Sequence, residues 1–168
     1  MTVPDGFKVS LAAGEPLVHQ PIAFTTDPRG RLWVAEAYTY PNRAKDGEGK
    51  DKIIILEDKD GDGVFETRKV FIEGLNLVSG LEVGFGGVWV GAAPYLMFIP
   101  DRDGDDIPDL GEFKETQTFV QFPKDVPNIP YHLNLFLCRA RYSSCHLIHH
   151  LHIVSREPFH VQVFQIYF

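Results

Sequence analysis

The sequence predicts an all-β protein: the first two blades of a β-propeller, each a four-stranded antiparallel sheet, followed by a tail of uncertain structure. Short apolar runs alternate with turn residues up to about residue 112. An acidic loop occurs twice, at Asp58 and again 43 residues later at Asp101. A tryptophan within a strand-like run also occurs twice, at positions 33 and 89. A repeat of about 40–45 residues with four short strands is typical of a propeller blade.

The first part of the chain contains a lead-in strand and one set of four strands. The lead-in strand is predicted at residues 7–11, and the four strands at 22–26, 31–36, 52–56 and 67–71. The sequence Asp27-Pro28-Arg29-Gly30 predicts a tight turn, because proline presets φ at its second position. The polar stretch 38–52 predicts a long surface loop.

A second set of strands repeats this order. Strands are predicted at 80–84, 87–92 and 95–99, and Trp89 takes the place that Trp33 has in the first set. The tryptophans are 56 residues apart and the acidic loops 43, and the difference is about the length of the 38–52 insertion. We therefore predict one domain at 1–112, with blade one at about 20–74 and blade two at about 75–112. At equivalent positions of a repeat, both tryptophans are predicted to be blade core rather than ligand-stacking residues.

The two acidic loops are the candidate metal sites. Each has carboxylates at loop positions 1, 3, 5 and 9, and such close charges repel one another unless a cation lies between them. Ca²⁺ is the expected ion because it takes 6–8 oxygen ligands. The candidate ligands are Asp58, Asp60, Asp62, Glu66 and the carbonyl of Val64 in the first loop, and Asp101, Asp103, Asp105, Asp109 and the carbonyl of Ile107 in the second. The alternative is a pair of acidic turns that hold no metal, since Asp and Gly are common turn residues.

Position 12 argues against a helix–loop–helix calcium site. That position needs a glutamate, and the first loop has Lys69 there. The second loop has Glu112, but Pro108 lies within it and a strand-like run precedes it. Both loops are therefore predicted to connect β-strands. The turn glycine at position 6, Gly63, is replaced by Asp106 in the second loop, and Asp tolerates a left-handed backbone better than most residues.

Composition and charge narrow the class of protein. The net charge of −7 is concentrated in the two loops and argues against nucleic-acid binding. The sequence contains no run of eighteen apolar residues that would predict a transmembrane segment, and no signal peptide is visible. We therefore expect either a cytosolic chain or a sequence recorded without its true start. Two cysteines do not decide the redox compartment.

The tail, 113–168, differs in composition from the rest. All 15 glycines precede residue 112, whereas six of the seven histidines and both cysteines follow it. The metal-ligating types in the tail are Cys138, Cys145, His146, His149, His150 and His152. Their spacing matches none of the usual zinc frameworks. We predict adventitious metal binding there rather than a built site, with a short amphipathic segment as an equal interpretation.

Residues 4–109 resemble the N-terminal region of a membrane-bound dehydrogenase family of planctomycete-type bacteria. The matching stretches are residues 4–7, 30–36, Tyr40-Pro41, the first acidic loop, 74–77, 80–96 and 98–106. Propellers of this family are similar to sorbosone and glucose dehydrogenases, and many members end in a cytochrome c segment. The resemblance implies oxidation of a sugar or alcohol, a PQQ-type quinone or haem as cofactor, and an exported, periplasmic or membrane-associated protein.

The sequence departs from this family after the second loop. A His-containing segment and further blades are expected there and are not found, and Tyr142-Ser143-Ser144-Cys145-His146 has one cysteine where covalent haem needs two. The resemblance therefore implies a truncated relative that lacks its remaining blades and is inactive alone, with a non-homologous, disordered or out-of-frame tail. The alternatives are a calcium-stabilised, non-catalytic module that binds carbohydrate or protein, and a remnant without function.

A candidate pocket follows the third predicted strand. Glu36, Tyr38 and Tyr40 lie where that strand would reach a propeller face, and ligands usually bind at such faces. The alternative is a solvated loop. Substrate, electron acceptor and oligomeric state are not predicted by the sequence.

Overall fold

The computed structural model of the chain describes residues 4–110, 117–121, 150–156 and 160–167, with side chains described for 4–110. Eleven strands and no helix are found in these ranges. The strands are β1 (Lys8–Gly14), β2 (Pro21–Thr26), β3 (Leu32–Glu36), β4 (Asp51–Glu57), β5 (Thr67–Leu75), β6 (Val78–Val83), β7 (Gly87–Ala92), β8 (Tyr95–Pro100), β9 (Gln117–Gln121), β10 (His150–Arg156) and β11 (His160–Tyr167).

The strands form three sheets, and every pairing within them is antiparallel. Two sheets have four strands in sequential order, β2-β3-β4-β5 and β6-β7-β8-β9, and the third has the order β1-β11-β10. The predicted all-β class and the repeated set of four strands are therefore confirmed. Their arrangement as propeller blades stays a prediction.

Two parts of the architecture lie beyond the predicted boundary at residue 112. The second sheet takes its fourth strand, β9, from residues 117–121. Two further strands of the predicted tail, β10 and β11, pair with one another, and β11 also pairs with β1. The division of the chain at residue 112, and the origin of the tail, stay predictions.

Alternation of side chains along the strands gives the first sheet two apolar faces. Successive residues of a strand point to opposite sides, and all five residues of β3 are buried. Leu32 and Val34 therefore lie on one face, and Trp33 and Ala35 on the other. A strand buried on both sides has a nearly continuous apolar sequence, as the central residues of β3 and β4 do.

The larger core lies between the two four-stranded sheets. The Trp33 and Phe71 rings meet edge to face, with centroids 4.9 Å apart, and β2 packs beside β6. Full burial of a Val, Leu, Ile, Phe or Met side chain stabilises a fold by about 1.5–3 kcal/mol relative to exposure. The buried members are Trp33, Ala35, Ile53, Ile55, Phe71, Leu75, Val78, Leu81, Val88, Val90, Ala92, Met97 and Ile99.

The end of β1 and the segment that follows it cover the opposite face of the first sheet. Ala12, Ala13 and Val18 pack with Leu32, Val34, Ile54, Leu56 and Phe65. Phe65 belongs to the first acidic loop, and its backbone N–H donates to the carbonyl of Ala12 at 2.8 Å. The first loop is therefore anchored on the lead-in segment by both packing and a hydrogen bond.

A buried carboxylate joins the two sheets at the end remote from the acidic loops. Asp51 is fully buried and accepts hydrogen bonds from the N–H and hydroxyl of Thr39 and, at 2.8 Å, from the N–H of Val78. Val78 begins β6, so Asp51 fixes the start of the second sheet relative to β4. An unpaired buried acceptor is costly, and three donors satisfy this one.

In the part of the chain that the structure describes, we find no helix with the length and apolar character needed to cross a membrane.

We expect Gly87→Ala to lower the free energy of unfolding by about 2 kcal/mol, the usual scale of overpacking. A Cβ at residue 87 would lie 2.4 Å from the carbonyl oxygen of Ile99 and 2.9 Å from the Cα of Pro100, and this backbone cannot yield easily. The matched control is Gly84→Ala in the same hairpin, where a Cβ meets nothing within 4 Å. Urea denaturation of both variants measures the difference, and equal stabilities would contradict the packing described here.

Candidate metal centres and neighbouring sites

The first acidic loop brings four of its predicted ligands together. One carboxylate oxygen from each of Asp58, Asp60, Asp62 and Glu66 lies within 4.8 Å of the others. Backbone amides orient these groups: Gly61 and Gly63 donate to Asp58 at 2.7 and 2.8 Å, and Lys59 donates to Glu66 at 3.0 Å. The fifth predicted ligand, the carbonyl of Val64, stays a prediction.

The second acidic loop brings three predicted ligands together. Carboxylate oxygens of Asp101, Asp103 and Asp105 lie within 4.8 Å of one another, and Asp109 is not part of this group. Asp109 accepts the N–H of Arg102 at 2.7 Å, as Glu66 accepts that of Lys59 in the first loop. The carbonyl of Ile107 stays a predicted ligand.

The two loops share one hydrogen-bond pattern, position by position. In both, residue 4 donates to residue 1, residue 5 to residue 3, residue 7 to residue 5 and residue 2 to residue 9. The bonds are Gly61–Asp58, Asp62–Asp60, Val64–Asp62 and Lys59–Glu66 in the first loop, and Gly104–Asp101, Asp105–Asp103, Ile107–Asp105 and Arg102–Asp109 in the second. Amides therefore hold the carboxylates in the same order in both loops.

Position 6 has a left-handed backbone in both loops. The φ angle is 89° at Gly63 and 65° at Asp106. Glycine adopts this conformation without strain, and Asp is one of the few other residues that visit it readily. The expectation that Asp106 can replace the turn glycine is confirmed.

The acids of the second loop differ in their electrostatic surroundings. Burial raises the pKa of Asp101, and repulsion from Asp106 and Asp105 adds to the shift, although backbone amides oppose it. Burial alone would also raise the pKa of Asp106, but hydrogen bonds and attraction from Arg31 and Lys69 outweigh burial and lower it. Asp106 is therefore held as a carboxylate by cations of the first sheet.

Asp27 accepts hydrogen bonds within the turn before β3 and positions Arg31, whose side chain reaches the second loop. Its side chain is 4% exposed and lies 2.8 Å from Arg31 Nε, and it accepts the indole N–H of Trp33 at 3.0 Å. Burial raises the pKa of Asp27, but hydrogen bonds from Trp33 and Arg31 outweigh it and lower the value. Arg31 then donates to Asp106 at 2.8 Å. The sequence indicated the turn, but not this ion pair across 75 residues.

The candidate pocket residues do not share one environment. Glu36 is fully buried and accepts from Arg68 at 2.8 Å, from the Tyr38 hydroxyl at 3.1 Å and from the backbone of His19 at 2.9 Å. Burial and the charge of Glu36 raise the pKa of Tyr38 to about 12. Tyr40 is 69% exposed. The structure therefore brings Glu36 and Tyr38 together in a buried network and leaves Tyr40 on the surface.

A cleft of about 320 Å³ lies between the β2–β3 and β6–β7 turns, beside the second acidic loop. At its rim, Phe85 is 95% exposed and has a φ of 57°. Phe85 and Gly86 both have positive φ, and Gly84 donates to Gly87 at 2.9 Å, as in a type I′ hairpin turn. Asn or Gly usually occupies the place of Phe85. The sequence did not lead us to this site, although an aromatic residue among three turn glycines was a visible signal.

The predictions for the two tryptophans and for the Cys/His cluster of the tail remain to be compared with the structure. Trp33 is core, as predicted, whereas Trp89 is half-buried and packs on Phe98 with ring centroids 5.0 Å apart. The Cys/His cluster of the tail, including Cys138 and Cys145, lies outside the residues whose side chains the structure describes.

Comparison with known proteins assigns most of the chain to a family. The family model described as a domain of unknown function, DUF7133, matches residues 1–115, more than half of the chain. No curated protein matches the sequence, and no solved structure matches it.

We expect Asp27→Asn to destabilise the fold by about 2 kcal/mol at neutral pH, because the buried charge-assisted bonds to Arg31 and Trp33 are lost. The folded pKa of Asp27 lies below its ordinary value of 3.8. The stability that this charge contributes is therefore complete above that value and is lost as the pH falls through the folded pKa. Denaturant melts of both proteins from about pH 6 to 3 measure this, and a stability difference that stayed constant across the range would contradict the assignment.

Proposed function

The chain belongs to the DUF7133 family, and we propose that its sheet region is a calcium-binding module whose two acidic loops each hold one ion. The observation that carries the proposal is the common pattern of the loops. Two segments 43 residues apart orient their carboxylates through the same four hydrogen bonds and gather three or four of them at one place.

The residues fit calcium by distance and by donor type. Calcium–oxygen bonds are about 2.3–2.6 Å long, so two ligands on opposite sides of one ion are about 4.6–5.2 Å apart. All the gathered oxygens lie within 4.8 Å of one another and can therefore reach a single ion. Carboxylate oxygens are hard donors, which Ca²⁺ prefers and which soft metals do not. When bound, the ion would neutralise the mutual repulsion of these acids.

The chain's own residues hold each carboxylate in place. Loop amides donate to Asp58, Asp62, Asp101 and Asp105, and each loop joins the third and fourth strands of its sheet. We infer a structural role for the ion, in which it fixes the ends of β4 and β5 and of β8 and β9. The sequential order of both sheets supports their assignment as successive propeller blades.

Binding of an outside molecule is the second proposal, and the cleft beside the second loop supports it. Phe85 contributes almost no buried area to the fold and adopts a backbone conformation that costs a non-glycine residue about 1 kcal/mol or more. A partner that covers Phe85 would account for a residue that is both strained and exposed. A carbohydrate or a protein surface fits an aromatic side chain at the rim of this cleft.

Oxidation of a sugar or alcohol is the activity implied by the resemblance to the membrane-bound dehydrogenases. This proposal rests on that resemblance alone, including its PQQ-type quinone or haem and its exported or membrane-associated location. Such a reaction needs a base for the hydroxyl proton and an acceptor for the hydride. Reduction of an artificial electron acceptor by the protein with a panel of sugars tests it.

Removal of calcium is expected to lower the melting temperature. An ion that binds only the folded state at a hundred times its Kd adds about 2.7 kcal/mol per site, and this corresponds to about 5 °C or more for a chain of this size. The melt is followed by tryptophan fluorescence in millimolar Ca²⁺ and in excess chelator.

The double variant Asp60→Asn, Asp62→Asn is expected to lose about half of the calcium effect. The matched control, Asp5→Asn with Asp46→Asn, removes two exposed acids elsewhere and should keep the whole effect. A melting temperature that does not respond to calcium in the unaltered protein would rule out the metal assignment.

A further inference from the structure

Three basic side chains of the first sheet contact the second acidic loop. Lys69 Nζ donates to the carbonyl of Asp105 at 2.7 Å and lies 3.5 Å from Asp106 Oδ2. Arg31 donates to the same oxygen at 2.8 Å, and Arg29 donates to the carbonyl of Gly104 at 3.2 Å. Positive charge from one sheet is therefore placed directly at the loop of the next.

The first loop is built without such neighbours. Among the residues with described side chains, no ion pair joins Asp58, Asp60, Asp62 or Glu66 to a lysine or arginine. Its position 6 is Gly63, which offers no carboxylate for a neighbouring cation. The two loops thus share their internal hydrogen bonds and differ in the charge that surrounds them.

The difference affects how each loop would hold a divalent cation. Lys69 contacts the backbone of Asp105, which is one of the gathered carboxylate residues. Its ammonium therefore lies within one Debye length of any ion in that loop, about 8–10 Å at ordinary salt. Like charges at such distances repel one another, and water and salt reduce the repulsion between exposed groups. Lys69 is 48% exposed, so we expect a modest, screened effect on affinity.

We infer that Lys69, with Arg31, lowers the calcium affinity of the second loop and affects that of the first loop less. The inference rests on the proposed function, since it concerns the same loops. It makes the second loop an adjustable site whose affinity is set by the neighbouring sheet. Linkage requires the reverse effect as well: an ion in the second loop weakens the contacts of Lys69 with Asp105 and Asp106 by the same factor.

The first sheet also holds these cations in position. Asp27 holds Arg31, whose guanidinium lies 5.8 Å from the centre of the Trp33 ring. The Trp33 ring itself belongs to the core between the two sheets. Lys69 lies on β5, the outer strand of the same sheet. The effect on the second loop therefore depends on the packing of the two sheets against one another.

The test is calorimetric titration of the full chain with Ca²⁺, with each loop isolated in turn. Asp60→Asn with Asp62→Asn leaves the second loop, and Asp103→Asn with Asp105→Asn leaves the first. Lys69→Met is added to each background, and Lys45→Met, on the exposed 38–50 loop, is the matched control for loss of a lysine charge. Lys69→Gln is a second variant that keeps a polar side chain on β5.

Lys69→Met is expected to tighten calcium binding about threefold in the protein with only the second loop, and to change it less than half as much in the protein with only the first. Lys45→Met is expected to change neither. Equal effects of Lys69→Met on both loops, or none on the second, with Lys69→Gln agreeing, would overturn this inference while the calcium proposal stands. Absence of calcium binding in the unaltered chain would overturn both.

Discussion

The two acidic loops place like charges close together, and their surroundings must offset the resulting repulsion. Each loop gathers three or four acids within a few ångströms, and such an arrangement is stable only where opposite charge or donor groups surround it. Backbone amides provide the same four donors in both loops. The second loop adds Arg31 and Lys69 from the neighbouring sheet. The first loop therefore offsets its repulsion with backbone donors, and the second with backbone donors and neighbouring basic side chains.

The packing of the sheets places these charges. Trp33 belongs to the inter-sheet core by its ring and to the polar turn by its indole N–H, which donates to Asp27. Asp27 then holds Arg31 against Asp106. Burial of an aromatic side chain and orientation of an ion pair thus depend on the same residue, so the apolar contact between the sheets also fixes the electrostatics at the second loop.

Buried charge at the opposite end of the sheets has a different role. Asp51 and Glu36 are fully buried, and each is surrounded by donors: Thr39 and Val78 for the first, and Arg68, Tyr38 and His19 for the second. These groups join segments that are distant in sequence and leave no free carboxylate oxygen to hold an ion. At one end of the sheets, therefore, buried acids have all their oxygens hydrogen-bonded and stabilise the fold. At the other end, acids are gathered so that their oxygens can bind a cation.

Strands β2 to β8, the two acidic loops and the left-handed turn at position 6 could be predicted from the sequence. Those features depend on residues close together in the chain: alternation for β2–β8, spacing of acids for the loops, and the φ preferences of Gly63 and Asp106. Three features could be seen only in the folded protein: the burial of Glu36 beside an exposed Tyr40, the completion of the second sheet by β9, and the pairing of Arg31 with Asp106. These depend on contacts between segments up to 75 residues apart. No local pattern records which side chain will be opposite another once the sheets pack.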